Sequence, residues 1–229
     1  QTFIKLAPSD NLNLIITIPC YNESNLIQSL LSIYNCQLPG CSVEVIVVIN
    51  NAEDASSEIQ DQNKSTFIES SNWAKTHNSE ALQFYIIYVD NLPKKHAGVG
   101  LARKIAMDEA VKRFESIEKS NGIISCFDAD SECSPNYLTE IVNHFDRHPK
   151  INGCSIYFEH PFTGVLSSDH YNAIIEYELF LRYYTHALKY VGVPYAYHTV
   201  GSSMAVRSDA YQKQGGMNKR KAGEDFYFI

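Results

Sequence analysis

At 229 residues, with 45% hydrophobic and 20% charged side chains, the chain can bury a sizeable core and is too apolar for a disordered class. Its formal net charge of −7 disfavours nucleic acid as the main partner, although a local basic patch could still hold one small phosphorylated ligand. No apolar run reaches the roughly 18 residues of a membrane span, and the N-terminal stretch "LIITIP" is too short for a signal peptide.

The first half alternates strand and helix. "NLIITIPCY" (13–21) is a β-branched run suited to a strand covered on both faces, and "NESNLIQSLLSIYNC" follows with Leu26, Leu30, Ile33 and Tyr34 at helical spacing. "VEVIVVINN" (43–51) predicts a second strand and "SSEIQDQNKSTFIESSNWAKTH" a polar helix. "LQFYIIYVD" (82–90) predicts a third strand, 99–119 a strong helix, and "GIISCFDAD" a fourth strand running into a Pro-containing turn and another helix. Beyond residue 150 the pattern changes: a strand in "INGCSIYFE", a long aromatic-rich helix over 169–190, then a strand in "SSMAVR". The tyrosines of that helix are expected in the core, with stacking on a bound ligand as the alternative.

Alternation of this kind implies an α/β fold, a mostly parallel central sheet with right-handed crossovers and helices on both faces. Such a sheet binds ligands at the carboxyl ends of its strands, where strand order reverses. The unusual residues collect at those ends: Pro19 to Glu23, Asn50 to Asp54, Asp90 to Gly100, and Asp128 to Asp130. Six cysteines, Cys20, Cys36, Cys41, Cys126, Cys133 and Cys154, form no CxxC pair and predict buried free thiols in a reducing compartment.

Asp128 and Asp130 raise the sharpest question, because two carboxylates at the end of a buried strand repel each other and resist losing water. They could cap the following helix, but Ser131, Ser134 and Asn136 would do that more cheaply. Paired carboxylates can instead divide the work, one accepting from ribose hydroxyls and one holding a hard divalent cation that bridges two phosphates. Asn22 suits a helix N-cap with Glu23 in the first turn, while Pro19 and Tyr21 could support a flat ring. Asn50 and Asn51 can read the edge of a base or cap a turn. Arg103, after Gly98 and Gly100, could meet an anion or base, or be a surface arginine; the glycine spacing supports neither a dinucleotide oxidoreductase nor a P-loop NTPase. Glu224 and Asp225 follow a basic loop, Lys219 to Lys221, and either ends a helix or supplies a general base. His198 reads as a loop histidine, with metal ligation the alternative.

Taken in order, "IPCYNE", "VVINNAEDAS", "GVGLARKIAMDEA", "FDADS", "GSSMAVRSDAYQKQGGM" and "GEDF" resemble a family 2 glycosyltransferase of the GT-A (Rossmann-like) fold over nearly the whole chain. The resemblance implies one domain over 1–229, with a nucleotide-binding half (1–130) and an acceptor-side half (131–229) cut short at its C-terminus. It implies nucleotide binding by Pro19, Tyr21, Glu23, Asn50, Asn51, Arg103 and Asp128, a divalent metal (Mn²⁺ or Mg²⁺) on Asp130, and catalysis by Asp225 with Glu224 beside it. Asn50 and Asn51 depart from the acidic pair usual there. The implied reaction is metal-dependent, inverting transfer of a sugar from a nucleotide-diphospho-sugar to a saccharide, lipid-linked or other hydroxyl acceptor. The expected location is the cytoplasm, including the inner face of a membrane. The rival readings are a catalytically silent sugar-nucleotide-binding module and a sugar nucleotidyltransferase, whose Gly-rich N-terminal loop is missing here.

Overall fold

The structure is a computed structural model that describes residues 2–218, 223, 225 and 228. Its Val- and Ile-rich runs become strands buried on both faces in β1 (Leu12–Cys20) and β2 (Ser42–Ala52), while the edge strand β3 (Leu82–Leu92) buries Leu82, Phe84 and Ile87 and leaves most of its other side chains half-buried. β4 (Ile123–Cys126), β5 (Gly153–Ser155) and β6 (Met204–Arg207) are short. Together they form one six-stranded sheet in the order β3-β2-β1-β4-β6-β5. β1 to β4 pair in parallel, while β6 runs antiparallel to both β4 and β5.

Helices cover the two faces. α1 (Leu26–Tyr34), α2 (Ser57–His77) and α4 (Tyr137–Arg147) bury Leu26, Leu30, Ile33, Ala74, Leu138 and Phe145 against one face of the sheet. α3 (Val99–Ser116) lays Ala102, Ala106, Ala110 and Phe114 on the other, joined by Tyr211 of α6 (Ser208–Lys213). The mostly parallel, helix-covered α/β sheet expected from the sequence is therefore present.

Several expectations need correction. α1 begins at Leu26 behind Asn25, so Asn22 does not cap it, and Glu23 lies before its first turn. Asn22 instead takes φ of +51° and donates its backbone N–H to Asn63 Oδ1 at 2.8 Å. β4 stops at Cys126, which leaves Phe127 to Asp130 outside the strand. β5 keeps only three residues of its predicted run, and α6 was not foreseen. The aromatic helix α5 (Ser168–Tyr190) buries only Glu178 and Thr185, and its Tyr183 and Tyr190 are 75% and 92% exposed. Its buried contacts centre on Glu178, which accepts from the His160 backbone N–H at 3.1 Å and pairs with Arg182 at 2.9 Å, while Tyr177 packs edge-on to the His160 ring and Arg182 lies over the Tyr157 and Phe158 rings.

One buried ion pair ties the sheet to α3. Arg113 donates from Nη2 to Glu44 Oε1 at 2.5 Å, lies 4.8 Å from the centre of the Tyr85 ring, and donates to the Leu6 carbonyl at 2.9 Å. Removing one member strands a charge inside the core, which costs about 3–5 kcal/mol, whereas replacing both with apolar side chains is near neutral. Glu44→Ala is thus expected to lose about that much stability in urea unfolding, and the double change Glu44→Met with Arg113→Met to recover most of it.

Candidate active site

The carboxyl ends of β1, β2 and β4 and the start of α3 enclose a cleft of about 220 Å³. The chain winds outward from β1 through β2 to β3, then crosses to β4 on the other side of β1, so the cleft lies where strand order reverses. Pro19, Tyr21, Glu23, Asn50, Asp128 and Asp130 all line it, together with Cys20, Val99 and Ala129. Of the other residues singled out in the sequence, Asn51, Arg103 and Asp225 stand behind or beside these walls. Glu224 and the basic run Lys219 to Lys221 lie outside the described residues.

The two aspartates are not equivalent. Arg103, only 3% exposed on α3, donates from Nη2 to Asp128 Oδ1 at 3.1 Å and from Nη1 to the Gly201 carbonyl at 2.7 Å. Asp128 therefore has its charge compensated from beneath. Asp130 is exposed, and its carboxylate has no hydrogen bond or ion pair among the described residues. The Gly201 peptide also donates its N–H to Asp225 Oδ2 at 2.8 Å. A Cβ at position 201 would lie 3.0 Å from Arg103 Nη2 and 3.1 Å from Asp225 Oδ2, so glycine is what lets guanidinium and carboxylate approach the same peptide.

The opposite end of the cleft is built from amides. Asn50, 1% exposed, donates from Nδ2 to the Gly98 carbonyl at 3.4 Å, and its Oδ1 has no partner among the described residues. Such an orphaned buried acceptor is expensive unless something supplies a donor. Behind it, the fully buried Asn63 of α2 donates to the Asn50 carbonyl at 3.1 Å and accepts the Asn22 N–H. Asn51 turns away and accepts from the Tyr88 hydroxyl at 3.1 Å. Asn63 and Gly201 were missed in the sequence, since an Asn inside a polar helix and a loop Gly carry no local signal.

The rest of the site is chemically quiet. Burial, and next the Glu23 carboxylate, push the Cys20 thiol up to about 12, so this wall residue is neutral near pH 7 and is not a nucleophile. His198 Nε2 lies 3.1 Å from Thr185 Oγ1 and its ring packs edge-on to Phe158. Burial, and then Arg182, hold its imidazole below the ordinary value. Among the described residues no cluster of three or more His, Cys, Asp or Glu side chains could bind a metal unaided. The donor set of Asp128 and Asp130 nevertheless suits a hard divalent cation of the kind that takes one or two carboxylates and completes its shell with water and phosphate oxygens.

Three solved structures share this architecture. The chain aligns over 95% of its length with 54% of S. aureus TarS 1-349, at 16% identity and a TM-score of 0.59. Against the same protein in complex with UDP-GlcNAc the coverage is 93% and 51%, with 15% identity and a TM-score of 0.55. Against mannosyltransferase PcManGT from Pyrobaculum calidifontis in complex with GDP-Man and Mn²⁺ it is 97% and 52%, with 18% identity and a TM-score of 0.54. The chain thus spans about half the length of these solved chains. No curated protein sequence matches it. The fold is the GT-A type, and the glycosyl transferase family 2 model matches residues 15–214. The chain belongs to glycosyl transferase family 2.

Proposed function

We propose that this chain transfers a sugar from a nucleotide-diphospho-sugar to an acceptor hydroxyl, with a divalent cation and with inversion at the anomeric carbon. The observation that carries this is the unequal pair at the end of β4: Asp128 held by Arg103, and Asp130 left exposed at the cleft. Family membership and the relatives solved with UDP-GlcNAc and with GDP-Man and Mn²⁺ support the same donor chemistry.

In this reading Asp128 accepts from the donor's ribose and Asp130 ligates Mn²⁺ or Mg²⁺. When bound, the cation neutralises charge on the departing diphosphate. Pro19, Tyr21 and Glu23 flank the nucleotide. Asn50 Oδ1 accepts a ring N–H of the base, which uracil and guanine present and which the matching ring nitrogens of cytosine and adenine lack. Asp225, oriented by the Gly201 N–H, takes the acceptor's proton as its oxygen attacks the anomeric carbon. The bond to diphosphate breaks on the opposite face, so configuration inverts and no covalent enzyme intermediate forms.

The same proposal keeps the donor in the 1–130 half and the acceptor in the 131–229 half of one domain. The exposed tyrosines of α5 are available there to stack on sugar rings. A cytoplasmic setting agrees with six cysteines that are all free thiols, and no described helix is long and apolar enough to cross a membrane.

Calorimetric titration with UDP and GDP, in Mn²⁺ and in EDTA, tests the donor site. Tight binding of one nucleotide is expected only with metal, and Asp130→Ala should abolish the difference between the two conditions. Binding without metal dependence would remove Asp130 from the site. Asn50→Ala should weaken that nucleotide by about tenfold, the worth of roughly one good hydrogen bond. An unchanged Kd would instead take Asn50 out of base recognition. Asp225→Asn should leave nucleotide affinity within about threefold while lowering turnover by about 10²–10⁴, the usual weight of general-base catalysis. Nucleotide-sugar binding with no transfer by the unaltered chain would identify a binding module instead.

A further inference from the structure

Outside the cleft, two cysteines 97 residues apart face each other. Cys36 Sγ, just beyond the end of α1, lies 3.5 Å from Cys133 Sγ, three residues past Asp130. The segment between Ala129 and Pro135 has no regular structure and is fastened by hydrogen bonds to α1 and to Gln37, three residues beyond its end. Ser29 Oγ donates to the Ala129 carbonyl at 2.7 Å, the Cys133 N–H donates to Ser32 Oγ at 3.3 Å, and the Gln37 N–H donates to the Pro135 carbonyl at 2.7 Å. The paired thiols therefore sit on the seam between the segment that carries Asp130 and the helix that supports it.

We propose that Cys36 and Cys133 form a dithiol site that a low-molecular-weight disulfide closes to a protein disulfide, and that closure displaces the Asp130 segment and weakens metal-dependent nucleotide binding. The site stands on its own geometry, while the effect on nucleotide rests on the donor site proposed above. Cys133 is the more accessible of the two, Cys36 being 7% exposed. Cys133 thiolate attacks the small disulfide, forms a mixed disulfide and expels one small thiolate. Cys36 then attacks the Cys133 sulfur and expels the second, so two protein thiols are oxidised as one small disulfide is reduced to two thiols. An S–S bond is about 2.05 Å long, so the sulfurs must close by about 1.5 Å. The coil segment yields more readily than the end of a packed helix, and the bonds to Ser29, Ser32 and Gln37 are what such a shift strains.

The test incubates the reduced chain with oxidised glutathione and follows intact mass, peptide mapping, amide hydrogen exchange and nucleotide affinity in Mn²⁺. The expected product has lost two hydrogens, maps to Cys36–Cys133, exchanges severalfold faster over 129–135 than the reduced chain, and binds nucleotide about tenfold or more weakly. Dithiothreitol should reverse all four changes. Cys36→Ser and Cys133→Ser should each bind nucleotide like the reduced chain and resist the loss on oxidation. A bond between any other pair, or no bond, overturns the site, whichever way nucleotide binding turns out. A mapped Cys36–Cys133 bond with unchanged exchange and affinity overturns the coupling. If the reduced chain binds no nucleotide, the donor reading fails separately, and mass and exchange still decide the dithiol.

Discussion

A buried guanidinium must be answered by anions or carbonyls, and at Arg103 that requirement organises the whole cleft. Its charge is out of reach of bulk water, so leaving it uncompensated would cost several kcal/mol. Asp128 at the end of β4 and the Gly201 carbonyl supply the answer, and the Gly201 N–H then fixes Asp225. One helix side chain thus draws together parts of the chain separated by about a hundred residues. It also accounts for the difference between neighbouring carboxylates, since Asp128 pairs with it and Asp130 is left to face the cleft.

The alternation of β-branched runs and helical spacing made the parallel core legible, because buried strands and amphipathic helices write their burial into residue type. The site was legible where polar residues interrupt those runs, at Pro19 to Glu23, Asn50 and Asp128 to Asp130. What stayed hidden depends on partners far along the chain. Asn22 resembles a helix cap, but Asn63, 41 residues away, claims its N–H. Asn51 looks as available as Asn50 until Tyr88 takes its oxygen. The aromatic spacing of α5 suggests core, yet its buried contacts run through Glu178, His160 and Arg182, and Tyr183, Tyr184 and Tyr190 are exposed. Composition alone cannot tell an aromatic row that packs from one that is left outward.

Support for the cleft comes from both sides of the sheet by different means. On the α3 side it is ionic, through Arg103. On the α1 and α2 side it is a set of neutral hydrogen bonds, from Asn63 to the ends of β1 and β2 and from Ser29 to the β4 loop. Because Arg103 is buried, its pair with Asp128 is screened far less by salt than a surface ion pair would be. The two supports differ instead in what breaks them, loss of a compensating charge on one side and displacement of a loop on the other.

The strand order also bears on how the protein comes off the ribosome. β4 is made about eighty residues before β6, yet β6 is its neighbour in the sheet, and β5 has no partner until β6 arrives. During synthesis β1 to β4 can assemble as each is completed, but one side of β4 keeps unpaired backbone groups until residue 207 has emerged. An open edge beside a run of apolar side chains invites pairing with another nascent chain. The shortness of β4, four residues, limits how much edge is on offer during that interval. A brief strand in the middle of the sheet, which looks like a weakness in the finished fold, is a safeguard while the fold is still being made.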